Sequence, residues 1–488
     1  MHHQSSRRRL LLQRILVYAA MSISIVLLVA VSMFVILGYQ FNRSDGRIEQ
    51  GGLVQFESRP AGATVTIDTA DLGTRTASKT TMSAGSHFIK IERTGYQAWQ
   101  KSISVVPGTV LWLNYVRLIP TQLTPTKVAS LKMVASTAVS DDNKWFAIKE
   151  DPATPLVRLA DVSGSDVKLS DIELPAASYT HPDAGKTQTF TIETWDPDSN
   201  YLLIKHVFND TKTEWLVLDT ANPVNTKNVT TLLGVDATKL VFSNQNSHVL
   251  YALVAGGLRR IDIGSATLSG PLVANVADFS LFETRLTYAT MIDPATKTRA
   301  VGYYDEGAAK PYTVKLYSDD GTAPLHAEAG KYFNENYIVI AYGDTATILK
   351  GDLPRSDSAS VAPLQASKTL AVPGGVRFLS IKTNGRFVVL QQPAAFALYD
   401  MELKKFTITP IKGAVDSTKE LGWIDNYMPW SDADGTLRLY EFDGANQHAI
   451  MPVVPGLSAV LSPDDKYLYG IGKAPDGSFI LERVQLIL

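Results

Sequence analysis

The chain has no cysteine among its 488 residues. Disulfides, thiolate nucleophiles, iron–sulfur clusters and cysteine-ligated zinc are therefore excluded, as is a lipid anchor on an N-terminal cysteine. Charged residues are scarce, at 19%, and they nearly cancel, with 46 Lys and Arg against 48 Asp and Glu. This balance excludes a generally basic nucleic-acid-binding protein. The 45% hydrophobic content excludes a disordered chain and allows a large buried core.

Catalytic sequence motifs are absent as well. The chain has no G-x-S-x-G nucleophile elbow, no H-E-x-x-H metal motif and no glycine-rich phosphate loop. Its eight histidines are scattered, and the only adjacent pair is His2-His3. We therefore predict no catalytic residues, no cofactor, no metal site and no enzymatic activity.

Two acidic patterns and one group of aromatic residues could each form a binding site or have a structural role. Alternating Asp196, Asp198 and Asn200 could wrap Ca²⁺, and Asp432-x-Asp434-Gly435 is a weaker pattern of the same kind. No glycine at the sixth position or glutamate at the twelfth completes a calcium loop, so we predict turns whose side chains bond the local backbone. The aromatic residues could form a stacking patch for a sugar or peptide, but core packing is the preferred interpretation. They are Trp195, Trp215, Trp423, Trp430 and Tyr427.

Residues 15–39 contain no charge and would form a helix of roughly 37 Å, enough to cross a hydrocarbon core of about 30 Å. A cleavable signal peptide is the alternative, with Ala30-Val31-Ser32 as its cleavage site. Apolar residues continue to Leu37, so we predict an uncleaved transmembrane helix. Four arginines precede it (Arg7, Arg8, Arg9 and Arg14) and two follow it (Arg43 and Arg47). The positive-inside rule then predicts a cytoplasmic tail at 1–14 and an extracytoplasmic remainder.

Residues 40–50 read as a polar linker, and from Gly51 the apolar residues alternate with a period of two. Segments 53–58 and 64–68 flank a turn and predict a hairpin; residues 72–74 predict a further turn. Three more strands are predicted at 86–92, 99–106 and 109–118. Four or five strands in about 70 residues indicate a small β-sandwich.

The same region resembles the PEGA domain family. The pattern begins Val54-x-Phe56-x-Ser58-x-Pro60-x-Gly62-Ala63-x-Val65-x-Ile67 and continues with Gly73, Gly85-x-His87 and Gly95-Tyr96. The turn that names the family reads Pro60-Ala61-Gly62-Ala63 here, so its glutamate is missing. The resemblance covers residues 51–120. It implies a non-enzymatic surface module of a prokaryotic envelope protein.

Residues 121–488 carry a repeat, in which a turn rich in Asp, Asn, Ser or Pro precedes a short apolar strand. The clearest copies are SDDNKWFAI, DPDSNYLLI and SPDDKYLYGI. In the eight copies, the first strand residues are Trp145, Tyr201, Val249, Leu286, Tyr337, Phe387, Tyr427 and Tyr467, about 46 residues apart on average. A second strand follows each, and most of these second strands carry Asp or Glu near the end.

A period of this length is typical of a β-propeller, and the alternative is two successive sandwich domains. We predict eight blades, or seven if the degenerate Leu286 copy is not one. A missing outer strand of the last blade would have to come from residues 124–134. The predicted fold class is thus an all-β ectodomain, a PEGA-like β-sandwich plus a seven- or eight-bladed β-propeller, behind one transmembrane helix.

The predicted function is binding or scaffolding in the cell envelope, with the propeller as interaction head and the PEGA-like domain as stalk. The expected partner is an envelope protein or a cell-wall glycan, with the membrane contacted through residues 15–39 and no nucleic acid. The alternative is a propeller enzyme acting on an envelope polysaccharide or peptide, whose converging carboxylates would appear only in the folded channel. A transmembrane sensor would have only the 14-residue tail inside the cell. Three N-glycosylation sequons begin at Asn42, Asn209 and Asn228 and matter only in a cell that N-glycosylates.

Overall fold

The computed structural model describes residues 7–36, 38–42, 47–318, 321–353, 364–413 and 419–488. The chain separates into two compact units, one up to Gln122 and one from Leu123 onward. The first unit begins with helix α1 (Arg7–Ile36). Within it, Leu11–Phe34 has a mean hydropathy of 2.5 and is not buried by protein, which fits a membrane anchor and also a signal sequence.

The helix differs from the predicted bounds of 15–39 at both ends. It begins at Arg7, within the predicted tail, because arginine is a good helix former and the helix therefore extends beyond its apolar segment. It ends at Ile36, and Gly38 then takes a left-handed φ of +78°. The predicted linker 40–50 contains a hairpin of β1 (Tyr39–Asn42) and β2 (Arg47–Gln50). Residues 43–46 lie outside the described part of the chain.

The rest of the first unit is a sandwich of two sheets with seven strands. They are β3 (Gly52–Arg59), β4 (Thr64–Ile67), β5 (Ala70–Arg75), β6 (Ser78–Met82), β7 (Gly85–Glu92), β8 (Trp99–Val105) and β9 (Val110–Arg117). One sheet has the order β6-β3-β9 and the other β5-β4-β7-β8. Fully buried Val54, Phe56, Val65, Ile89 and Ile91 fill the space between them.

Three sequence predictions for this sandwich are wrong. The predicted four or five strands are seven, because β5 and β6 are largely exposed and lack a clear apolar pattern. The segments predicted as a hairpin are β3 and β4, which lie in different sheets, so the turn at residues 60–63 crosses the core instead. Alternation shows which side chains face inward, and it is the same for a hairpin and for a crossing between sheets. The turn predicted at residues 72–74 lies inside β5, an exposed edge strand in which Gly73 adopts a φ of +71°.

The second unit contains eight four-stranded antiparallel sheets within the described residues, so the structure has eight blades and not two sandwiches. Seven blades follow the chain order from inner to outer strand. The first strand of the unit, β10 (Thr126–Leu131), belongs to the last blade. Blade 1 is β11 (Ser136–Val139), β12 (Trp145–Lys149), β13 (Leu156–Asp161) and β14 (Lys168–Glu173). Blade 2 is β15 (Gln188–Trp195), β16 (Tyr201–Phe208), β17 (Lys212–Asp219) and β18 (Lys227–Asn228); blade 3 is β19 (Ala237–Phe242), β20 (Val249–Val254), β21 (Gly257–Asp262) and β22 (Thr267–Leu268). Blade 4 is β23 (Val276–Phe282), β24 (Arg285–Thr290), β25 (Thr298–Asp305) and β26 (Tyr312–Ser318); blade 5 is β27 (Leu325–Tyr332), β28 (Glu335–Tyr342), β29 (Thr345–Lys350) and β30 (Gln365–Ala371). Blade 6 is β31 (Phe378–Lys382), β32 (Phe387–Gln391), β33 (Ala395–Asp400) and β34 (Lys405–Pro410); blade 7 is β35 (Gly422–Trp423), β36 (Pro429–Ser431), β37 (Thr436–Leu439) and β38 (His448–Pro452). A short helix α2 (Val229–Leu233) follows β18.

Blade 8 takes its strands from both ends of the unit. It consists of β39 (Val460–Leu461), β40 (Tyr467–Lys473), β41 (Phe479–Gln485) and, outermost, β10 (Thr126–Leu131). The β10–β41 ladder runs from Thr126 opposite Arg483 to Leu131 opposite Phe479. The predicted closing strand is therefore confirmed, and it joins the first and last strands of the propeller in one sheet.

The strands that the repeat pattern identified are the second and third strands of each blade. They carry the strongest apolar signal because adjacent blades cover both their faces; every residue of β32, for example, is buried. The fourth strands face solvent, as in β14 and β30, and are mostly exposed. The first strands line the central channel. The first and the fourth strands are therefore not covered on both faces, and their apolar signal in the sequence was weak.

Candidate functional site

The polar turns of the repeat are structural. In blade 1, the Ser140 hydroxyl donates to Asp142 Oδ1 (2.5 Å), and the Trp145 N–H donates to Ser140 Oγ (2.9 Å). Blade 8 repeats the same bonds with Ser462, Asp464 and Tyr467, at 2.6 and 2.9 Å. These side chains close the turn that leads from the first strand into the second, so they do not form a binding site.

The calcium candidate Asp196 occupies the corresponding turn of blade 2. Its Oδ1 accepts the backbone N–H groups of Asn200 (2.7 Å) and Tyr201 (2.5 Å), and Oδ2 accepts the N–H of Asp198 and the hydroxyl of Ser247. The carboxylate is fully buried and used by protein donors. Asp432 Oδ2 accepts the Gly456 N–H, and Asp434 pairs with Arg438. Over the described ranges, no three His, Asp or Glu side chains come together to hold a metal.

Of the four candidate tryptophans, Trp195 and Trp215 lie in the interior between blades, whereas Trp423 and Trp430 are half-buried and Trp430 lines an open cavity. Trp195 and Trp215 are almost fully buried, and each indole N–H donates to a backbone carbonyl, Ala138 O and Ala237 O respectively. Trp423 stacks on Phe387 with ring centroids 6.3 Å apart, and Tyr427 meets the same ring edge-on at 6.0 Å. The structure therefore does not bring these aromatic residues together as one exposed patch.

Two of the three sequon asparagines have structural partners. Asn228 Nδ2 donates to Glu214 Oε2 (2.9 Å), and Asn228 Oδ1 caps helix α2 by accepting the Thr231 N–H (3.0 Å). Asn209 exchanges hydrogen bonds with Asp183. The side chain of Asn42 lies outside the described residues. In both described asparagines, the side-chain nitrogen to which a glycan would be attached donates a hydrogen bond within the propeller.

The central channel of the propeller is the feature that brings charged groups from distant blades together. Charged residues sit on or beside the first strands of six blades. They are Glu193, Lys239, Asp278, Glu328, Lys382 and, just before β35, Glu420. Some charges change the pKa of residues in blades that are not neighbours in the ring. Asp141 of blade 1 contributes to raising the pKa of Lys382 of blade 6, and Lys419 of blade 7 opposes the raised pKa of Glu193 of blade 2. Such pairs can interact only across the channel.

Two ion pairs bridge neighbouring blades inside the channel. Lys239 Nζ lies 2.7 Å from Asp278 Oδ1, and Lys382 Nζ lies 2.9 Å from Glu420 Oε1. Their side chains are between about one third and one half exposed, so these pairs are solvated and contribute modestly to stability. Glu193 and Glu328 form no ion pair within the described residues, and they leave the channel with more acidic than basic side chains.

Glu328, in the middle of β27, is the channel acid whose ionisation is most changed. Burial, followed by the neighbouring charge of Glu420, raises its pKa to about 8, although Lys382 and the Ile381 N–H oppose the shift. Burial also raises the pKa of Glu193. The charge of Glu420 raises the pKa of Lys382 against the opposing effect of burial. Near neutral pH this shift favours the protonated form of Glu328, in the same channel as the Lys382–Glu420 ion pair.

An open cavity of about 170 Å³ lies beside Glu420, where blades 6, 7 and 8 meet. Its wall includes Gln391, Lys419, Trp430 and Asp432. The carboxyl-rich channel could bind a cationic group, or provide an acid and a carboxylate to a substrate. Sequence reasoning did not find Glu328 or Glu420, because each stands alone in its segment and only ring closure brings them together.

An exposed aromatic side chain stands on one face of the propeller. Phe333 forms the tip of the β27–β28 turn, is 79% exposed and has a φ of +51°. A bulky residue in this left-handed region is uncommon, because its Cβ crowds the backbone. The Tyr332 ring contacts it edge-on at 4.6 Å. This turn presents an apolar ring to solvent, an arrangement that partner-binding surfaces use.

Comparison with known proteins gives a family for one part of the chain. No curated protein is significantly similar to the sequence. Among solved structures, the C-terminal WD40 domain of Sif2 is similar with 10% identity and a TM-score of 0.43, over 75% of this chain and 98% of that one. Sqt1 of Saccharomyces cerevisiae gives 9% identity and a TM-score of 0.43, over 74% and 98%. The β-propeller domain of Cps50 (Swd1) of Myceliophteria thermophila gives 10% identity and a TM-score of 0.39, over 74% and 99%.

Similarity at this level carries no argument about function, and the propeller assignment rests on the eight sheets themselves. The first unit is different, since its match is to a family. The resemblance on Pro60, Gly62, Ala63 and the alternating strands around them is confirmed, because residues 52–120 match the PEGA domain family.

Proposed function

We propose that the protein is a membrane-anchored binding or scaffolding protein of the cell envelope, with both folded units outside the cytoplasm. Helix α1 would be the anchor, and the arginines that precede it favour a cytoplasmic N-terminus. The PEGA domain would be the stalk and the propeller the interaction head. The observation that carries the proposal is the closed eight-bladed ring, which presents many turns on a rigid frame. The partner would be an envelope protein or a cell-wall glycan.

Phe333 supplies a sharp test of the binding role. Full-length protein carrying Phe333→Ala should capture several-fold less of its partner after cross-linking in intact cells than the unchanged chain does. Leu316→Ala is the matched control, since Leu316 is 65% exposed but lies in the outer strand β26. Equal capture by all three proteins would exclude Phe333 as an anchor for a partner.

A reporter fused after Leu488 tests the proposed topology and should be extracytoplasmic. A cytoplasmic reporter would overturn that topology.

The second candidate function is a propeller enzyme acting on an envelope polysaccharide or peptide. One observation favours it: the charges of Glu420 and Lys382 act on Glu328, whose raised pKa favours its protonated form, so an acid and a carboxylate face one channel. Turnover of such a polymer by the full-length protein, abolished in Glu328→Gln, would support this function over simple binding. Unchanged turnover in that variant would exclude Glu328 as the acid.

A further inference from the structure

The PEGA domain exposes apolar side chains at one end of its three-stranded sheet. Val106 is 54% exposed, Val110 46% and Trp112 45%. Val110 and Trp112 alternate along β9 on the outer face of the sheet, and Val106 lies in the turn that precedes it. Leu53 stands opposite Val110 in the neighbouring strand β3 and is half-buried. We call these four residues the apolar edge.

The apolar edge is confined to one end of this face. The parallel register places Leu53 beside Val110 in the first row and Gln55 beside Trp112 in the second. The same strands continue with Glu57 and Asn114, which are polar. At about 3.3 Å per residue, the surface changes from apolar to polar within roughly 15 Å. The exposed apolar side chains of this face are therefore concentrated at one end.

Hydrogen bonds tie this end of the domain to the end of helix α1. The Gly51 N–H donates to Gly38 O at 2.9 Å, and Gly38 lies two residues beyond the helix. The Gly108 N–H, in the turn that carries Val106, donates to Gly51 O at 2.9 Å. Backbone segments joined by such a hydrogen bond lie about 5 Å apart, so two of these bonds keep the turn within roughly 10 Å of the end of the helix.

We infer that the apolar edge inserts into the head-group layer of the leaflet from which α1 emerges. This inference rests on the proposed membrane anchor. A bilayer has a hydrocarbon core of about 30 Å and a total thickness of about 40–45 Å, so each head-group layer is about 5–7 Å deep. A turn tied this closely to the helix end reaches that layer. Tryptophan favours this boundary, because its ring is apolar while its N–H can bond to head groups or water.

The absence of cysteine makes the test direct, since one substitution creates a single labelling site. The full chain is reconstituted in phosphatidylcholine vesicles with a spin label on Val106→Cys. Ala61→Cys is the matched control, because Ala61 is exposed at the opposite end of the eight-residue strand β3. Ser24→Cys, in the apolar part of α1, reports whether the helix itself lies in the bilayer.

The measurement is the collision rate of each label with oxygen, which concentrates in lipid, relative to a water-soluble nickel chelate. The ratio at position 106 should be several-fold higher than at position 61. Equal ratios at 106 and 61, with Ser24→Cys in the hydrocarbon, would overturn this inference and leave the anchor standing. A water-exposed label at position 24 would overturn the anchor and this inference with it.

A second measurement needs no label. In vesicles of brominated phosphatidylcholine, the bromines quench nearby tryptophans, and Trp112→Phe should remove a component of that quenching. Trp99→Phe is the matched control, because Trp99 is in the same domain but only 2% exposed. Quenching that is the same in both variants would contradict insertion of Trp112.

Discussion

Glu214 in β17 shows how one buried carboxylate organises a blade. It accepts four hydrogen bonds: from the Thr180 N–H (2.7 Å), the Thr180 hydroxyl (2.8 Å), the His206 ring at Nδ1 (2.8 Å) and Asn228 Nδ2 (2.9 Å). Burial alone would raise its pKa, but these bonds outweigh burial and lower the pKa to about 2. Because the folded pKa lies below the ordinary value, the carboxylate stabilises the fold above about pH 4.5. That contribution is lost as the pH falls towards 2.

Glu214→Gln should lower the free energy of unfolding by about 3 kcal/mol, because an amide nitrogen would then face donors in a buried site. Urea titration of the full-length protein at neutral pH would measure the change. Glu173→Gln, at an exposed position of β14, should leave the midpoint unchanged. A loss of similar size in both variants would contradict the role assigned to Glu214.

Glu328 has the opposite pH dependence. Its folded pKa of about 8 lies above its ordinary value of 4.5, so the folded channel binds the proton more tightly than the unfolded chain. The resulting stabilisation is complete below about pH 4.5 and is lost as the pH rises through 8. Glu328→Gln has no such proton to lose. The variant should therefore gain in melting temperature relative to the unchanged protein between about pH 5 and pH 8.5.

Melting curves of both proteins at the two pH values would check this expectation. Glu283→Gln, an exposed position in the β23–β24 turn, is the control and should follow the unchanged protein. A difference between Glu328→Gln and the unchanged chain that does not vary with pH would contradict the raised pKa.

At the scale of elements, the turn between the first and second strands is the repeated unit of the propeller. The Ser462 hydroxyl links Asp464 to the Tyr467 N–H, and Asp465 takes a left-handed φ of +62° within the turn. Ser462→Ala removes both bonds and leaves the part-buried Tyr467 N–H without its hydroxyl acceptor. The change should lower the free energy of unfolding by about 1 kcal/mol.

Chemical denaturation is the appropriate measurement for this variant. Ser165→Ala, an exposed position whose hydroxyl has no hydrogen bond among the described residues, serves as control. If both serines could be replaced without effect, the repeated polar pattern would not be explained by turn closure.

At the scale of the whole molecule, the propeller depends on the pairing of its ends. Strand β41 pairs with β40 on one side and with β10 on the other, so it belongs to two ladders at once. It and the residue after it carry buried Leu481, Val484 and Leu486. Burial of three such side chains contributes about 2 kcal/mol each, apart from the backbone hydrogen bonds.

Removal of residues 479–488 should therefore lower the melting temperature of the whole second unit and broaden its transition. Calorimetry of the full-length and truncated proteins would measure both effects. A chain that lacks only Leu488, which is 62% exposed, should melt like the complete protein. A truncated protein that melts in the same cooperative transition would mean that the ring does not need β41 to close.

The sequence by itself determined the long apolar helix, the sandwich region, the propeller repeats and their order along the chain. Sustained apolarity without charge indicated the helix, alternation in residues 51–120 indicated a small β-sandwich, and Asp-rich turns near Trp145, Tyr201 and Tyr467 marked blades. These signals are local, since each depends on residues within about ten positions of one another. The closing strand was also predictable, because a four-stranded repeat that ends after its third strand lacks one partner.

Only the tertiary structure decided which strands pair and which side chains meet. The turn at residues 60–63 crosses between sheets, although its flanking strands alternate as a hairpin would. Glu328 and Glu420 are about ninety positions apart and share no motif, yet they face one channel. Val106, Val110 and Trp112 of the apolar edge follow α1 by seventy residues or more, yet hydrogen bonds tie their end of the sheet to the end of that helix. Hydrophobic pattern specifies burial, whereas pairing and electrostatic contact depend on closure of the whole chain.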